Sequence, residues 1–174
     1  MVAFNFDPTK PIALVGAMCS GKTTIAKKLE QDGYNWIRTY TTRPPRPGES
    51  SKDYMFVSQD EFFGFMMNNF FMETEDYKVA SGDTWYYGSL RSDYKIPNSV
   101  IILTPMAIYK LRNELNVVFV DTPLDTRLDR AHHRGDDPKE VLRRFKAEDD
   151  LFRMFREYPQ NYDLRLTGGL SSAT

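Results

Sequence analysis

Cysteine is nearly missing from this chain of 174 residues: Cys19 stands alone, so no disulfide can form within it. Histidine is scarce too, and the two present, His132 and His133, have no partner at metal-ligand spacing. No apolar run approaches the length of a membrane span, and Met1 to Lys10 lacks a charged-then-apolar leader pattern. Neither sign of charge is in excess, with 23 Lys and Arg against 24 Asp and Glu. That balance excludes a broad basic surface for nucleic acid or membrane, and any anion must be bound by local arginine clusters. Repeats and low-complexity segments are absent. What remains is an ordinary 41% hydrophobic content, enough for the core of one domain. The expected setting is the cytoplasm, with no nucleic-acid and no membrane partner.

The first strong signal is Gly16-Ala17-Met18-Cys19-Ser20-Gly21-Lys22-Thr23, which has the spacing G-x-x-x-x-G-K-[ST]. The apolar run Pro11 to Val15 before it reads as a buried strand. After it, Thr24 to Glu30 puts Ile25, Ala26 and Leu29 on one helical face. Strand, glycine-rich turn and helix start together make a phosphate loop. Its glycines let backbone N–H groups approach a polyphosphate, and the helix N-terminus adds unpaired donors and a positive dipole end. Gly16 through Thr24 are therefore expected to hold ATP, with Lys22 on the outer phosphates and the Thr23 hydroxyl on Mg²⁺. Cys19 reads as a small side chain that this turn tolerates, ahead of any redox role.

Asp32-Gly33 ends the first helix, and Tyr34 to Ile37 reads as a second strand. The segment Thr39 to Glu49 carries Pro44, Pro45 and Pro47, which exclude a regular helix or a central strand. It is a stiff loop presenting Arg43 and Arg46, whose guanidinium forks suit phosphate. Asp53 to Val57 reads as a strand, and Ser58 with Glu61 as the capping box of a short aromatic helix. Asn68-Asn69 stops that helix. Phe70 to Met72 and Asp76 to Ala80 read as two strands, Ser81-Gly82-Asp83 as a hairpin turn, and Trp85 to Tyr87 as the return. Thr104-Pro105 reads as an N-cap followed by an N1 proline, with the helix running to about Asn113. The uninterrupted apolar run Val117 to Val120 fits an interior parallel strand. Thr122-Pro123 repeats the helix-start device, and Asp137-Pro138 opens a last long helix.

The stretch Thr41-Thr42-Arg43-Pro44-Pro45-Arg46-Pro47-Gly48-Glu49, followed by Lys52-Asp53-Tyr54-Met55-Phe56-Val57, resembles the guanylate kinase family. So do Phe71-Met72-Glu73 and Tyr86-Tyr87-Gly88-Ser89, in the same order, and the likeness runs from about Pro11 to about Asp163. The resemblance implies that Arg43, Arg46, Tyr54 and Tyr87 grip a nucleoside monophosphate. It implies too that Glu73 reads a guanine edge, with Thr39 and Ser89 supplying hydroxyls near the base. Two departures stand out. The segment Thr74 to Trp85 is longer than in the family, which leaves Glu75 as an alternative base reader. Leu103 and Pro105 occupy the places of the family's L-D-x-D aspartates. Family members also usually carry V-x-N-D and a further helix near the end, where this chain has a strand and turn over Tyr162 to Gly169 and ends at Thr174.

Arg130, Arg134-Gly135 and Arg144 match the family's lid, where arginines close on the transferring phosphoryl group. Arg127 reads instead as helix surface charge, with Asp136, Glu140 and Glu148 as ion-pair partners for such arginines. Alternating strands and helices predict an α/β fold. The resemblance makes it a three-layer P-loop NTPase fold with a parallel sheet, a small inserted β lobe for the monophosphate and a helical lid. One domain is expected over 1–174: core about 10–40 and 97–174, lobe about 41–90, lid about 124–148. The implied reaction is phosphorylation of GMP or dGMP by ATP with Mg²⁺, catalysed by Lys22, Arg43, Arg130, Arg134 and Arg144, in a monomer or homodimer. Two other readings stay open: a kinase for a pyrimidine or modified deoxynucleotide, and a non-catalytic module of the same fold that binds phosphopeptides.

Overall fold

The computed structural model describes residues 6–79 and 81–167. Its core is a five-stranded, all-parallel sheet built from β1 (Ile12–Val15), β2 (Asn35–Ile37), β7 (Ser99–Ile102), β8 (Asn116–Asp121) and β9 (Leu164–Thr167). The order across the sheet is β2-β7-β1-β8-β9, so β1 lies at the centre. Ile12 to Val15 are all buried, as a strand covered on both faces must be. Alternation sends Ile12 and Leu14 to one face, where Ile25 and Ala26 of α1 (Lys22–Gln31) pack with Trp36, Val100 and Val118. Ala13 and Val15 go to the other, against Ala107, Ile108 and Leu111 of α3 (Pro105–Leu111) and Phe152 and Phe155 of α5 (Pro138–Glu157). Helix, sheet and helix make three layers.

A second sheet of order β4-β3-β6-β5 is formed by β3 (Tyr40–Thr41), β4 (Met55–Phe56), β5 (Phe71–Lys78) and β6 (Thr84–Leu90). Helix α2 (Gln59–Met67) packs on it through Phe62, fully buried, with its ring centroid 4.6 Å from Phe71 and 5.8 Å from Tyr86. Gly88 makes room for this cluster: a Cβ there would lie 3.0 Å from the Phe71 ring and 3.1 Å from the Glu73 carbonyl oxygen. The capping box of Ser58 and Glu61 forms as expected. The two strands expected around Glu73 are one, β5, with a register shift between Phe71 and Glu73; β6 pairs it along its whole length and overrides the polar break. Ala80, and the expected turn at Gly168-Gly169 with the chain end to Thr174, lie outside the described residues.

Three local expectations are corrected. The strand expected over Asp53 to Val57 shrinks to β4, because only Met55 and Phe56 have β3 as partner. Helix α3 ends at Leu111 and tightens into a 3₁₀ turn over Arg112–Glu114. Thr122 does not cap α4 (Leu124–His133): the N-cap is Pro123, which has no side-chain bond to give, and within the first turn Asp125 accepts from the Thr126 N–H at 2.6 Å. The Thr122 hydroxyl is buried and donates instead to the Ser20 carbonyl oxygen at 2.7 Å, tying β8 to the phosphate loop. By contrast Thr104 caps α3 and Asp137 caps α5. No helix among the described residues is long and apolar enough to cross a membrane.

Candidate active site

A cleft of about 380 Å³ opens between the two sheets at the carboxyl ends of β1 and β7. The phosphate loop forms its floor. Gly16 is fixed by contact, since a Cβ there would sit 2.4 Å from the Val120 carbonyl oxygen. Cys19 and Gly21 take left-handed backbone angles, φ 60 and φ 101, which curl the loop, and the Ser20 N–H between them closes a turn on the Ala17 carbonyl at 3.2 Å. No side chain caps α1, whose N-terminal donors are thus available to an anion.

Inside the curl, Lys22 Nζ donates to the carbonyl oxygens of Gly16 at 2.6 Å and Ala17 at 2.9 Å. Desolvation holds its ammonium down to about 8, opposed by the negative charge of Glu148. Glu148, on α5, accepts from the Met18 N–H at 2.8 Å. A carboxylate thus occupies one of the donors that the loop turns toward anions. The sequence marks Glu148 only as one ion-pair partner for the helix arginines; it lies 3.9 Å from Arg144, and its bond to the loop cannot be read from spacing. Cys19 lines the cleft, and burial raises its thiol pKa.

The proline-rich loop and β6 face the phosphate loop across the cleft. Arg43 is 4% exposed, its guanidinium 5.2 Å from the Tyr54 ring and 2.9 Å from Glu49. Glu49 also accepts from the Arg46 N–H at 2.8 Å, so one carboxylate organises both arginines of the proline-rich loop. Burial and the nearby charge of Arg43 lower the pKa of Arg46. Tyr54 and Tyr87 meet edge to face at 6.4 Å, and burial raises the Tyr54 phenol. Two cations and two phenols converge here.

Further along β5, Glu73 is 8% exposed and accepts from the Ser89 hydroxyl at 2.5 Å; Ser89 lies 2.9 Å from the Tyr94 hydroxyl. Burial pushes the Glu73 carboxyl up to about 7, against the Ser89 hydrogen bond and with the help of Glu75. Tyr94 was not singled out from the sequence, where nothing marks it beyond a lone aromatic. Glu75 is held by the Thr104 hydroxyl, and Tyr77 donates to it at 3.3 Å. Thr39 lines the cleft nearby.

The arginines expected on a lid divide. Arg134 and Arg144 line the cleft; Arg134 pairs with Asp136 and its Nη2 lies 3.3 Å from Cys19 Sγ. Arg130 does not line the cleft and donates to the Cys19 and Ser20 carbonyl oxygens of the loop at 3.2 and 3.1 Å. Arg127, expected as surface charge, is 5% exposed: it donates to the Thr122 carbonyl oxygen and lies 4.6 Å from the Phe145 ring. Its aliphatic stem and planar head fill the seam between α4 and α5, which a helix-surface pattern could not foretell. Ser89 lies behind Glu73, and Ala17, Ser20, Gly21 and Thr24 do not line the cleft. The remaining expected residues, Gly16, Met18, Cys19, Lys22, Thr23, Thr39, Arg43, Arg46, Tyr54, Glu73 and Tyr87, share it.

The family model described as guanylate kinase matches residues 8–168. The guanylate kinase of Chlamydia felis is 30% identical over 152 residues, covering 77% of this chain and 72% of that protein. That of Mycoplasmopsis pulmonis is 31% identical over 167 residues, covering 84% of this chain and 83% of its own. The crystal structure of guanylate kinase from Anaplasma phagocytophilum superposes with a TM-score of 0.61 at 22% identity, covering 91% of this chain and 77% of that one; at this identity the likeness speaks for the fold alone. The loop, the paired arginines and these matches lead to one conclusion: the chain belongs to the guanylate kinase family.

Proposed function

We propose that this chain transfers the γ-phosphoryl group of ATP to GMP or dGMP. The coarser statement follows from family membership: the chain is a nucleoside monophosphate kinase. The observation that carries the finer one is that a phosphate loop with its lysine and an Arg43–Arg46–Tyr54–Tyr87 cluster line the same cleft. A phosphate oxygen of the acceptor attacks Pγ, the bond from Pγ to the β-phosphate oxygen breaks, and ADP leaves with that electron pair. The acceptor oxygen is already anionic, so no general base is needed. Catalysis then rests on positioning and charge neutralisation. Lys22 and the loop N–H groups hold the donor phosphates. Arg43 and Arg46 hold the acceptor, and Arg134 and Arg144 meet the charge that spreads over the equatorial oxygens. Arg130 steadies the loop.

The residues present fit Mg²⁺ with a single protein ligand. Thr23 is exposed in the first turn of α1 and lines the cleft, and no group of three His, Cys, Asp or Glu suited to a metal stands among the described residues. Thr23 would hold the ion together with phosphate oxygens and water, and the ion would neutralise charge on the β- and γ-phosphates. In this reading residues 41–90 receive the monophosphate and 124–148 act as a lid that excludes water. The cytoplasm, where ATP and nucleoside monophosphates are at hand, is its natural setting.

The burial of Glu73, 8% exposed, which pushes its carboxyl up to about 7, favours a second acceptor base. A protonated Glu73 would offer a donor beside an acceptor, matching an edge with a ring nitrogen acceptor and an amino donor, as in cytosine. The test is ADP release from Mg-ATP against a panel of ribo- and deoxynucleoside monophosphates. Turnover confined to guanine nucleotides supports the proposal; turnover with another base overturns the acceptor; ATP binding without any turnover leaves a phosphate-binding module. In Arg46→Ala the acceptor KM rises or kcat falls, and wild-type kinetics would remove Arg46 from the site.

A further inference from the structure

Strand β5 brings two carboxylates to the cleft. Side chains alternate along a strand, so Glu73, Glu75 and Tyr77 share the face that lines it. Glu75 is half-buried and tightly held. Thr104 gives it the only proton its hydroxyl has, because the same oxygen accepts from the Ala107 N–H at 3.2 Å as the cap of α3. The Tyr77 phenol donates to the other carboxylate oxygen at 3.3 Å. An ionised carboxylate has about four lone-pair sites, so acceptor capacity remains on Glu75 for a ligand.

The register says which part of a nucleotide meets it. Glu75 stands opposite Tyr87, and Glu73 opposite Ser89. Tyr87 belongs to the phosphate-gripping cluster with Tyr54 and Arg43. Glu73, with Ser89 and Tyr94, is the buried end. Two residues of strand separate the carboxylates by about 7 Å. In a nucleoside monophosphate lying from the arginines to Glu73, what spans the interval between phosphate and base is the sugar.

We infer that Glu75, anchored by Thr104 and Tyr77, reads the sugar: its carboxylate accepts from the ribose hydroxyls and makes the acceptor a ribonucleotide in preference to a 2′-deoxynucleotide. This rests on the acceptor lying in the cleft as proposed above, and it narrows that proposal. A hydroxyl donating to a carboxylate makes a charge-assisted bond. Without the 2′-hydroxyl, a half-buried anion loses a donor that water must replace.

The test compares kcat/KM for GMP and dGMP at saturating Mg-ATP in the wild type, Glu75→Gln, Thr104→Ser and Thr104→Val. The wild type should prefer GMP by about tenfold or more, the worth of one hydrogen bond to a charged group. In Glu75→Gln, GMP should lose about tenfold and dGMP far less, so that the preference collapses toward unity. Thr104→Ser, which keeps the hydroxyl, should retain the preference. Thr104→Val should lose part of it, mainly through KM for GMP, and this pair carries the test if Glu75→Gln fails to fold. A wild type that uses dGMP as well as GMP overturns the inference, as does a Glu75→Gln variant that weakens both in proportion or neither. Should the wild type use another base, the guanine assignment falls, and the ribo and deoxy forms of that base test Glu75 in the same way. If no nucleotide is phosphorylated, both readings fall.

Discussion

Glu73 should make the stability of this protein fall as pH rises. Its carboxyl titrates from 4.5 in an exposed setting up to about 7 in the fold, chiefly because burial disfavours the charged form. Glu75 adds to the rise, while the Ser89 hydroxyl and the charge of Lys110 oppose it. A folded-state pKa above the unfolded one means that the native chain keeps a proton which the unfolded chain has released. The group therefore contributes most below about pH 4.5, and its contribution declines between about 4.5 and 7 by as much as about 1.4 kcal/mol per pH unit. Across that window the loss amounts to about 3 kcal/mol and then levels off. Gln cannot ionise, so Glu73→Gln should remove the slope. Urea titrations of both proteins from pH 5 to pH 8 would measure it. The variant should gain on the wild type steadily up to about pH 7, and a difference that stays flat across the window would refute the reasoning. The acceptor carries a second readout: guanine donors need the carboxylate, so GMP affinity should strengthen more steeply through about pH 7 in the wild type than in Glu73→Gln, where only the second ionisation of the acceptor phosphate, at about pH 6, remains.

Other perturbations follow from single contacts. Gly16→Ala would drive a Cβ to 2.4 Å from the Val120 carbonyl oxygen, so the loop must shift and ATP binding by titration should be lost while the fold survives. Thr122→Val keeps volume but removes the hydroxyl's bond to the Ser20 carbonyl, which then has only the Arg130 guanidinium as donor, and should cost about 0.5–1.5 kcal/mol in chemical denaturation. Phe62→Ala empties the centre of the second sheet's cluster and should cost about 3–5 kcal/mol by the same assay. Glu148→Ala frees the Met18 N–H and removes a negative charge from beside the loop, so ATP should bind more tightly; weaker binding would show that Glu148 supports the loop and does not compete with phosphate.

The local features of this chain are written in neighbouring residues. The phosphate loop needs glycines at fixed offsets, the α2 capping box needs Ser58 and Glu61 three apart, and the caps at Thr104 and Asp137 act on the next turn of chain. Buried parallel strands announce themselves as unbroken apolar runs, and the arginine loop by its prolines. These pieces, with the family resemblance, made the fold and most of the cleft legible. What the sequence could not carry is which residues distant in the chain touch. Thr122 has the look of a cap and instead holds Ser20, 102 positions away. Arg127 has the look of surface charge and is buried because α5 folds over it to bring up Phe145. Glu148 meets the Met18 N–H only because α5 crosses the mouth of the loop. Glu75 finds Thr104 because β5 and the start of α3 converge on one cleft. Spacing along the chain determines caps, turns and strand faces; burial, and with it the titration of Glu73 and Lys22 and the partner each charge finds, is decided only when the two sheets and the helices close around the cleft.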